Sequence, residues 1–350
     1  MVESPSRASA EPVGPVRKPS RRHSLRAVGL VVAVGVLLLV CVLSIMIGAK
    51  PVPLGDVWHG LFQNSGIRND VVIHDVRVPR TILGLLVGLA LGLSGAVMQG
   101  LTRNPLAEPG LLGVNAGAAA AVVSAIAFLG VTDADTYVWF AFIGAAVVSV
   151  LVYVLGGSRS ATPVRLALAG TAATAALYGY VNAVQLLDSA ALDRLRFWTV
   201  GSLASATMDT VGQVAPFILV GAVLALLIAR PLNAMELGDD TARALGAHLN
   251  RTRAIAMVSV TLMCGAATAA CGPIVFLGLM VPYIVRSITG PDMRWILPYA
   301  AVLSPVLLLG SDIIGRVVAR PSELQVGIVT ALIGGPVFIR LVRRKRMATL

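Results

Sequence analysis

The stretch RVPRTILGLLVGLALGLSGAVMQGLTRNPLAEPGLLGVNAG, residues 77–117, decides the fold. Its uncharged run from Thr81 to Thr102 is long enough to cross a bilayer, because about 20 apolar residues rising about 1.5 Å each span roughly 30 Å of hydrocarbon. A short polar turn, residues 103–109, then leads into a second apolar run that starts at Gly110. A proline-containing turn between two apolar runs predicts a tight re-entry into the membrane.

The composition of the whole chain agrees with this prediction. Of the 350 residues, 57% are hydrophobic and 13% are charged, whereas a soluble domain carries about 25% charged residues. The apolar runs are continuous and lack the alternation of barrel strands, which excludes a transmembrane β-barrel. The predicted fold class is an all-α, polytopic membrane protein.

Apolar runs recur along the chain and predict ten transmembrane helices. The predicted spans are approximately 28–48, 80–101, 111–130, 137–155, 166–187, 210–228, 254–270, 275–288, 295–309 and 326–342. With both termini cytoplasmic, most of the 28 lysines and arginines lie on the inner side, as the positive-inside rule requires. This bias accounts for the net charge of +11, so no nucleic-acid partner is predicted.

The first 26 residues are rich in proline, serine, arginine and alanine. This composition predicts a disordered basic cytoplasmic tail, followed by a permease domain at residues 27–346. Residues 20–26 resemble a twin-arginine export signal, which is the alternative interpretation. The apolar run at 27–49 is too long for the core of a signal peptide, which favours a cytosolic anchor for the first helix.

The sequence contains none of the common catalytic or metal-binding motifs. Without a G-x-x-x-x-G-K-[ST] loop the chain does not bind ATP through a P-loop. Hence neither catalytic residues nor metal ligands nor a directly bound cofactor is predicted. Asn182 and Gln185 lie three residues apart on one helix face and are candidates for a translocation path. The alternative for such residues is an interhelical hydrogen bond, which we favour for Gln99 and Asn115.

Several motifs, in matching order from about residue 28 to 344, closely resemble one family. That family comprises the FecCD-type permease subunits of bacterial ABC importers for iron–siderophores, haem and vitamin B12. The motifs are Arg77–Arg80, Ser94–Gly100, Arg103–Gly113, Gly272–Leu279, Val281–Pro282, Gly315–Arg316 and Thr330–Pro336.

The resemblance implies a multi-pass permease of the bacterial cell membrane that is itself not an enzyme. The implied partners are a second permease (an identical or a similar chain), two ATPase subunits that hold ATP and magnesium, and an extracytoplasmic substrate-binding protein. The implied cargo is an iron–siderophore complex, because most of the family serves iron; vitamin B12 and haem are alternatives. The rival class is an ATP-independent channel or secondary carrier, and a purely structural or sensory membrane protein is a third possibility.

The resemblance also implies roles for individual residues. Arg77, Arg80 and Arg316 are expected to dock acidic residues of the binding protein; the alternative is that they anchor helix ends at the interface. A segment between the sixth and seventh predicted spans is expected to couple to the ATPase. The coupling residues are Gly238, Asp239, Ala242, Arg243, Leu245 and Gly246.

An inner gate is expected, by analogy, in the loop between the fourth and fifth predicted spans, at Ser160, Thr162 and Pro163. The chain departs from the family pattern there, because Pro163 stands where a small polar residue is common. It departs again at Tyr283, where histidine is common, and at Gln325, where proline is common.

Overall fold

The computed structural model describes residues 20–48, 53, 71–131, 133–157 and 163–343. Within these ranges the chain forms helices and no strand, which confirms the predicted all-α class. A π-helix at Val72–Arg77 leads into α2, and a 3₁₀ helix at Pro109–Leu112 leads into α3. The α-helices are α1 (Ser20–Met46), α2 (Val78–Thr102), α3 (Val114–Leu129), α4 (Ala134–Leu155), α5 (Pro163–Leu187), α6 (Ser189–Trp198), α7 (Met208–Leu227), α8 (Ala229–Glu236), α9 (Asp239–Ala244), α10 (Leu249–Cys271), α11 (Leu277–Thr289), α12 (Met293–Val318) and α13 (Val326–Arg343).

Helix α2 is the axis of the bundle. It packs against α7, α10, α11 and α12. Of the 18 most apolar consecutive residues in Val72–Thr102, 78% are buried, whereas the share for the same length of α1 is 11%. Helix α1 packs mainly on α12 and exposes most of its leucine and valine side chains. An apolar helix exposed in this way is suited to contact with lipid.

A stripe of glycines along α2 explains how its neighbours come so close. Gly88 faces α12, where an added Cβ would lie 2.5 Å from the Cα atom of Pro305. Gly95 faces α11, where an added Cβ would overlap the backbone of Gly278. Small residues at four-residue spacing allow this kind of close helix crossing in membranes.

Six helices are long and apolar enough to cross a membrane: His23–Met46, Val72–Thr102, Thr136–Leu155, Met208–Leu227, Leu249–Cys271 and Met293–Val318. Three shorter apolar helices, Val114–Leu129, Leu277–Thr289 and Val326–Arg340, fall at further predicted spans. Helix α5 covers the remaining one. The count of ten crossings and the sides of the termini stay predictions.

Two helix boundaries differ from those predicted, and one further helix was not predicted. Helix α1 begins at Ser20, so the helix of the apolar run extends back over residues 20–26. The disordered tail and the boundary of the permease domain stay predictions. Helix α12 ends at Val318, nine residues beyond the predicted end. Its last turns tolerate Asp312 and Arg316 because these two side chains pair with each other. Helix α8, which contains Pro231, was not predicted; proline is compatible with the first turn of a helix.

Candidate functional site

One end of α2 carries a buried ionic cluster, which we call the Asp312 cluster and which consists of Arg80, Asp312, Arg316 and Glu323. Asp312 accepts hydrogen bonds from Arg80 at 2.8 Å and pairs with Arg316 at 2.9 Å. Arg80 also pairs with Glu323 at 2.7 Å. The side chain of Asp312 is 0% exposed, and those of the two arginines are 6% and 2% exposed. Two positive and two negative charges therefore compensate one another, with Arg80, Asp312 and Arg316 away from water and Glu323 partly exposed.

The same end of the bundle fixes the end of α1. Arg316 donates to the carbonyl oxygens of Ser44 and Ile47, at 2.8 and 2.9 Å. Arg77 donates to the carbonyl oxygens of Ile45 and Met46, at 2.6 and 2.9 Å. The last carbonyl groups of a helix lack partners within the helix, and these arginines satisfy them.

The structure brings Arg77, Arg80 and Arg316 together at one end of the bundle. It does not present them as an exposed patch, because they are only 5%, 5% and 2% exposed. Their guanidinium groups contact carboxylates and carbonyls of the same chain. Docking of a partner by these residues stays a prediction, and it would require competition with Asp312 and Glu323.

The opposite end of α2 carries a second ionic cluster, the Asp239 cluster, which consists of Arg103, Asp239 and Arg253. Asp239 pairs with Arg103 at 2.9 Å and with Arg253 at 2.7 Å. Arg103 caps α2 in a left-handed conformation with φ 51°. Asp239 begins the short helix α9, so this cluster ties the segment predicted to couple to the ATPase to both α2 and α10.

The predicted coupling residues form a surface segment with a buried anchor. Ala242 is fully buried, whereas the side chain of Leu245 is 65% exposed. Arg243 is exposed and pairs with Asp240, which also lies in α9. Gly238 and Gly246 flank α9 with φ of 102° and 81°, a backbone conformation that favours glycine. The segment is thus held firmly and still presents an apolar and a charged side chain outward.

Helix α8 links this segment to α12 through polar contacts. Asn233 donates to Asp292 at 2.7 Å and accepts from the backbone N–H of Met293. Asp292 also caps α12 and pairs with Arg294 at 2.8 Å. Hydrogen bonds from Arg294 lower the pKa of the Asp292 carboxyl to about 2, with a smaller contribution from Asn233. Asp292 is therefore ionised at neutral pH.

Among the polar residues of the sequence analysis, two make the predicted interhelical hydrogen bonds. Gln99 donates to the carbonyl oxygen of Leu279 at 3.0 Å, and Asn115 accepts from Thr268 at 3.0 Å. These contacts confirm the structural interpretation of Gln99 and Asn115.

The other two candidates, Asn182 and Gln185, lie on α5, where Asn182 is exposed and Gln185 is half-buried. Their role in a path stays a prediction. Ser160 and Thr162 of the expected gate lie outside the described residues, and Pro163 begins α5.

One contact that the sequence did not predict lies in the turn after α2. Oε1 of Glu108 accepts a hydrogen bond from the backbone N–H of Phe276 at 3.1 Å. Phe276 precedes α11 with φ 68°, a conformation that costs a bulky residue about 1–3 kcal/mol. The sequence did contain a signal for a role of Glu108, because it is a carboxylate between two apolar runs. Ionisable residues at membrane depth commonly have a functional role.

Comparison with known proteins gives one family. The model of the FecCD transport family matches residues 36–344. The ferric enterobactin transport system permease protein FepD of Escherichia coli (strain K12) is 47% identical over 316 residues, which cover 89% of this chain and 94% of that protein. The Fe(3+)-citrate import system permease protein YfmD of Bacillus subtilis (strain 168) is 37% identical over 326 residues, covering 93% and 97% respectively.

A solved structure has the same fold. A metal-chelate type ABC transporter in an inward-facing conformation matches with a TM-score of 0.80 and 26% sequence identity, over 90% of this chain and 99% of that chain. The helical arrangement described above is therefore shared with an ABC transporter permease.

Proposed function

Because this chain belongs to the FecCD transport family, we propose that it carries an iron–siderophore complex across the bacterial inner membrane as the permease subunit of an ABC importer. It is a transport component and not an enzyme. The observation that carries the proposal is the family match over residues 36–344, together with a relative named for ferric enterobactin that aligns over 94% of its length.

The cargo is the part of the proposal that rests most on the relatives. The two relatives reported above are named for ferric enterobactin and for Fe(3+)-citrate, and both compounds are iron chelates. An iron–siderophore is the cargo class that they support best. Vitamin B12 and haem are the competing cargoes.

ATP enters the proposal through separate subunits. The sequence has no P-loop, so hydrolysis of magnesium–ATP is assigned to two partner ATPases on the inner side. We assign their contact to the segment from Gly238 to Gly246, because it combines a buried Ala242 with an exposed Leu245. A pair of permease chains, identical or similar, would complete the membrane unit.

The binding protein is assigned to the end of the bundle that carries the Asp312 cluster. The support is the convergence of Arg77, Arg80 and Arg316 at that end. An acidic group of the binding protein would take the place of Glu323, whose side chain is 31% exposed, beside Arg80. Asn182 and Gln185 are assigned to the path, and the loop with Ser160, Thr162 and Pro163 to the inner gate.

Reconstituted transport tests the function directly. The chain would be placed in proteoliposomes with its ATPase and binding protein, and uptake of radioactive iron would be measured for a catecholate, a hydroxamate and citrate. Labelled vitamin B12 and haem would be assayed in parallel. An ATPase whose P-loop lysine is replaced by alanine provides the control.

ATP-dependent uptake of one iron chelate, lost with the control ATPase, is the expected result. Uptake of vitamin B12 or haem alone would keep the importer and overturn the cargo. Uptake that proceeds without ATP, or in proteoliposomes with this chain alone, would overturn the ABC importer and favour a channel or secondary carrier.

A further inference from the structure

The turn between α2 and the 3₁₀ helix is stiff. The side-chain oxygen of Asn104 accepts a hydrogen bond from the backbone N–H of Leu106 at 2.9 Å, and its backbone oxygen accepts one from Ala107 at 3.1 Å. The backbone N–H of Asn104 donates to Gln99 of α2. A turn closed by its own hydrogen bonds and attached to a helix moves with that helix as one unit.

The far end of this turn lies against the middle of α2. A Cβ added to Gly278 would lie 3.0 Å from the carbonyl oxygen of Leu91 and 3.1 Å from Cδ of Pro109. Leu91 is 11 residues before the last residue of α2, which corresponds to about 16 Å along a helix axis. Glu108, the neighbour of Pro109, is therefore half-buried beside the middle of α2 and lies away from the end of that helix.

The carboxylate of Glu108 holds the backbone of another part of the chain. It accepts from the N–H of Phe276, 168 residues away. Phe276 has φ 68°, a left-handed conformation that glycine adopts more readily than phenylalanine. The hydrogen bond that Phe276 donates to Glu108 thus stabilises a backbone conformation that Phe276 does not favour by itself.

That conformation directs the phenyl ring toward α13. The ring centroid of Phe276 lies 6.3 Å from that of Phe338, a distance typical of aromatic pairs. A Cβ added to Gly334 would lie 2.5 Å from the Cβ of Phe276. Helix α13 packs on α11 and α12, and at its start the N–H of Gly327 donates to the carbonyl oxygen of Gly201. The Phe276 ring adds a contact further along α13, at Gly334 and Phe338.

The turn begins at a residue that contacts the proposed coupling segment. Arg103 pairs with Asp239 at the start of α9. The turn therefore joins α9 at one end to Phe276 and α13 at the other, through Arg103 and Glu108.

We propose that Glu108 is a positioning residue for transport, which couples movement at the ATPase-facing segment to α13 through Phe276. This rests on the proposed function, because it assumes that α9 receives the movement. The hydrogen-bond acceptor of Glu108 is the essential feature. A substitution that keeps an oxygen there keeps the coupling, and one that removes it leaves ATP hydrolysis running without matching uptake.

The first test compares uptake with ATP hydrolysis in the reconstituted importer. In Glu108→Ala, uptake per ATP hydrolysed is expected to fall about tenfold, in the range of ordinary coupling energies. Glu108→Gln keeps an acceptor oxygen and should stay within about twofold of the unchanged chain. Asp133→Ala is the matched control, because Asp133 also precedes a helix and its side chain accepts a hydrogen bond from the nearby Thr136.

A double mutant tests whether the effect passes through Phe276. Phe276→Ala should reproduce the loss of coupling, and Glu108→Ala combined with Phe276→Ala should be no worse than either change alone. Losses that multiply would overturn the proposal. So would uptake and hydrolysis that fall in the same proportion, or normal uptake by Glu108→Ala.

A second measurement does not depend on transport. Two spin labels, one at Val147 and one at Ile339, would report the distance between α4 and α13; both positions are exposed. The labelled chain carries Cys41→Ser, so that Cys41 is not labelled, and it is diluted with unlabelled chain. Glu108→Ala should broaden this distance distribution. A distribution unchanged by that substitution would overturn the proposal even if the importer works.

Two adjacent glycines supply a matched pair for the same measurement. Gly334→Ala places a methyl group against Phe276 and should broaden the distribution as Glu108→Ala does. An added Cβ at Gly335 meets nothing within 4 Å, so Gly335→Ala should leave it unchanged. If wild-type chain shows no ATP-dependent uptake but these distances respond as expected, the proposed function fails while the mechanical link stands.

Discussion

The two ends of α2 carry the same chemical unit, a carboxylate between two arginines, in different surroundings. Asp312 lies between Arg80 and Arg316 with a side-chain exposure of 0%. Asp239 lies between Arg103 and Arg253 with an exposure of 29%. The first unit is enclosed by protein, whereas water reaches the second.

The difference in exposure separates a fixed joint from an adjustable contact. Charges taken out of water cost several kcal/mol each, about as much as their mutual attraction returns, so a buried unit tolerates no missing member. A partly exposed unit is screened by water and salt, and its members can exchange partners at little cost. We therefore expect the Asp312 cluster to hold the bundle and the Asp239 cluster to adapt to a partner.

The largest effect is expected at Asp312. Asp312→Asn leaves Arg316 without a carboxylate and should destabilise the chain by about 3–5 kcal/mol, as the loss of one member of a buried ion pair does. The loss of stability is measured by heating the protein in detergent and recording how much monodisperse protein remains at each temperature. The joint change of Arg80→Met, Asp312→Leu, Arg316→Met and Glu323→Gln is the control, because it leaves no unpaired charge in the cluster. It should recover part of the lost stability, less the hydrogen bonds of Arg316 to Ser44 and Ile47. A destabilisation by Asp312→Asn well below about 3 kcal/mol would contradict the expectation and would indicate that water reaches the cluster.

A smaller effect is expected at the open side of the same cluster. Glu323→Gln removes the charge beside Arg80 while Asp312 still compensates it, and should cost about 1 kcal/mol. If the binding protein docks on Arg80, this change should also tighten docking, because a competing carboxylate is gone. Surface plasmon resonance with the purified binding protein checks the affinity. Unchanged affinity together with unchanged docking in Arg80→Met would remove Arg80 from the docking site.

At the opposite end of α2 the effect on stability should be smaller again, and the effect on assembly larger. Asp239→Asn should cost less than about 1 kcal/mol of unfolding free energy, as partly exposed pairs do. Capture of the ATPase should fall, because α9 loses its ties to Arg103 and Arg253. Co-purification at low and high salt measures this. The mutant defect should be smallest at high salt, where the pairs of the unchanged chain are already screened.

The smallest effect is expected one residue further. Asp240 is 99% exposed and pairs with Arg243 at i,i+3, so Asp240→Asn should change neither the melting temperature nor ATPase capture. It is the matched control for Asp239→Asn. A loss of capture as large as that of Asp239→Asn would show that the charge of α9 acts on the ATPase directly.

The sequence predicted the arginines of these clusters better than their partners. Arg80 and Arg316 stand in recognisable motifs, and the family resemblance implied one shared role for them. Their burial was not predictable, because it depends on Asp312, which the hydropathy pattern placed beyond the end of its helix. The polarity of Asp312 and Arg316 obscured the last turns of α12, where the two side chains neutralise each other.

The turn after α2 was predicted in outline only. Its proline and polar residues indicated a re-entry, and the structure has a turn and a 3₁₀ helix there. The hydrogen bond that Glu108 accepts from Phe276 joins residues 168 positions apart, and no local sequence pattern encodes such a contact. Likewise, the family resemblance singled out Asp239 as a coupling residue, but its pairing with Arg103 and Arg253 follows from how three helices pack.

The π-helix and α2 together form one rod of 31 residues, Val72–Thr102. At helical rise such a rod is about 45 Å long, against roughly 30 Å of hydrocarbon. Even a tilt of about 40°, the upper end of the usual range, leaves part of it outside the lipid tails. The rod is therefore longer than the hydrocarbon layer is thick, and we expect the charged residues near its two ends to lie at the headgroup level of opposite leaflets. A thinner or thicker bilayer would shift that match at both ends at once, which makes lipid thickness a variable to which this permease should respond.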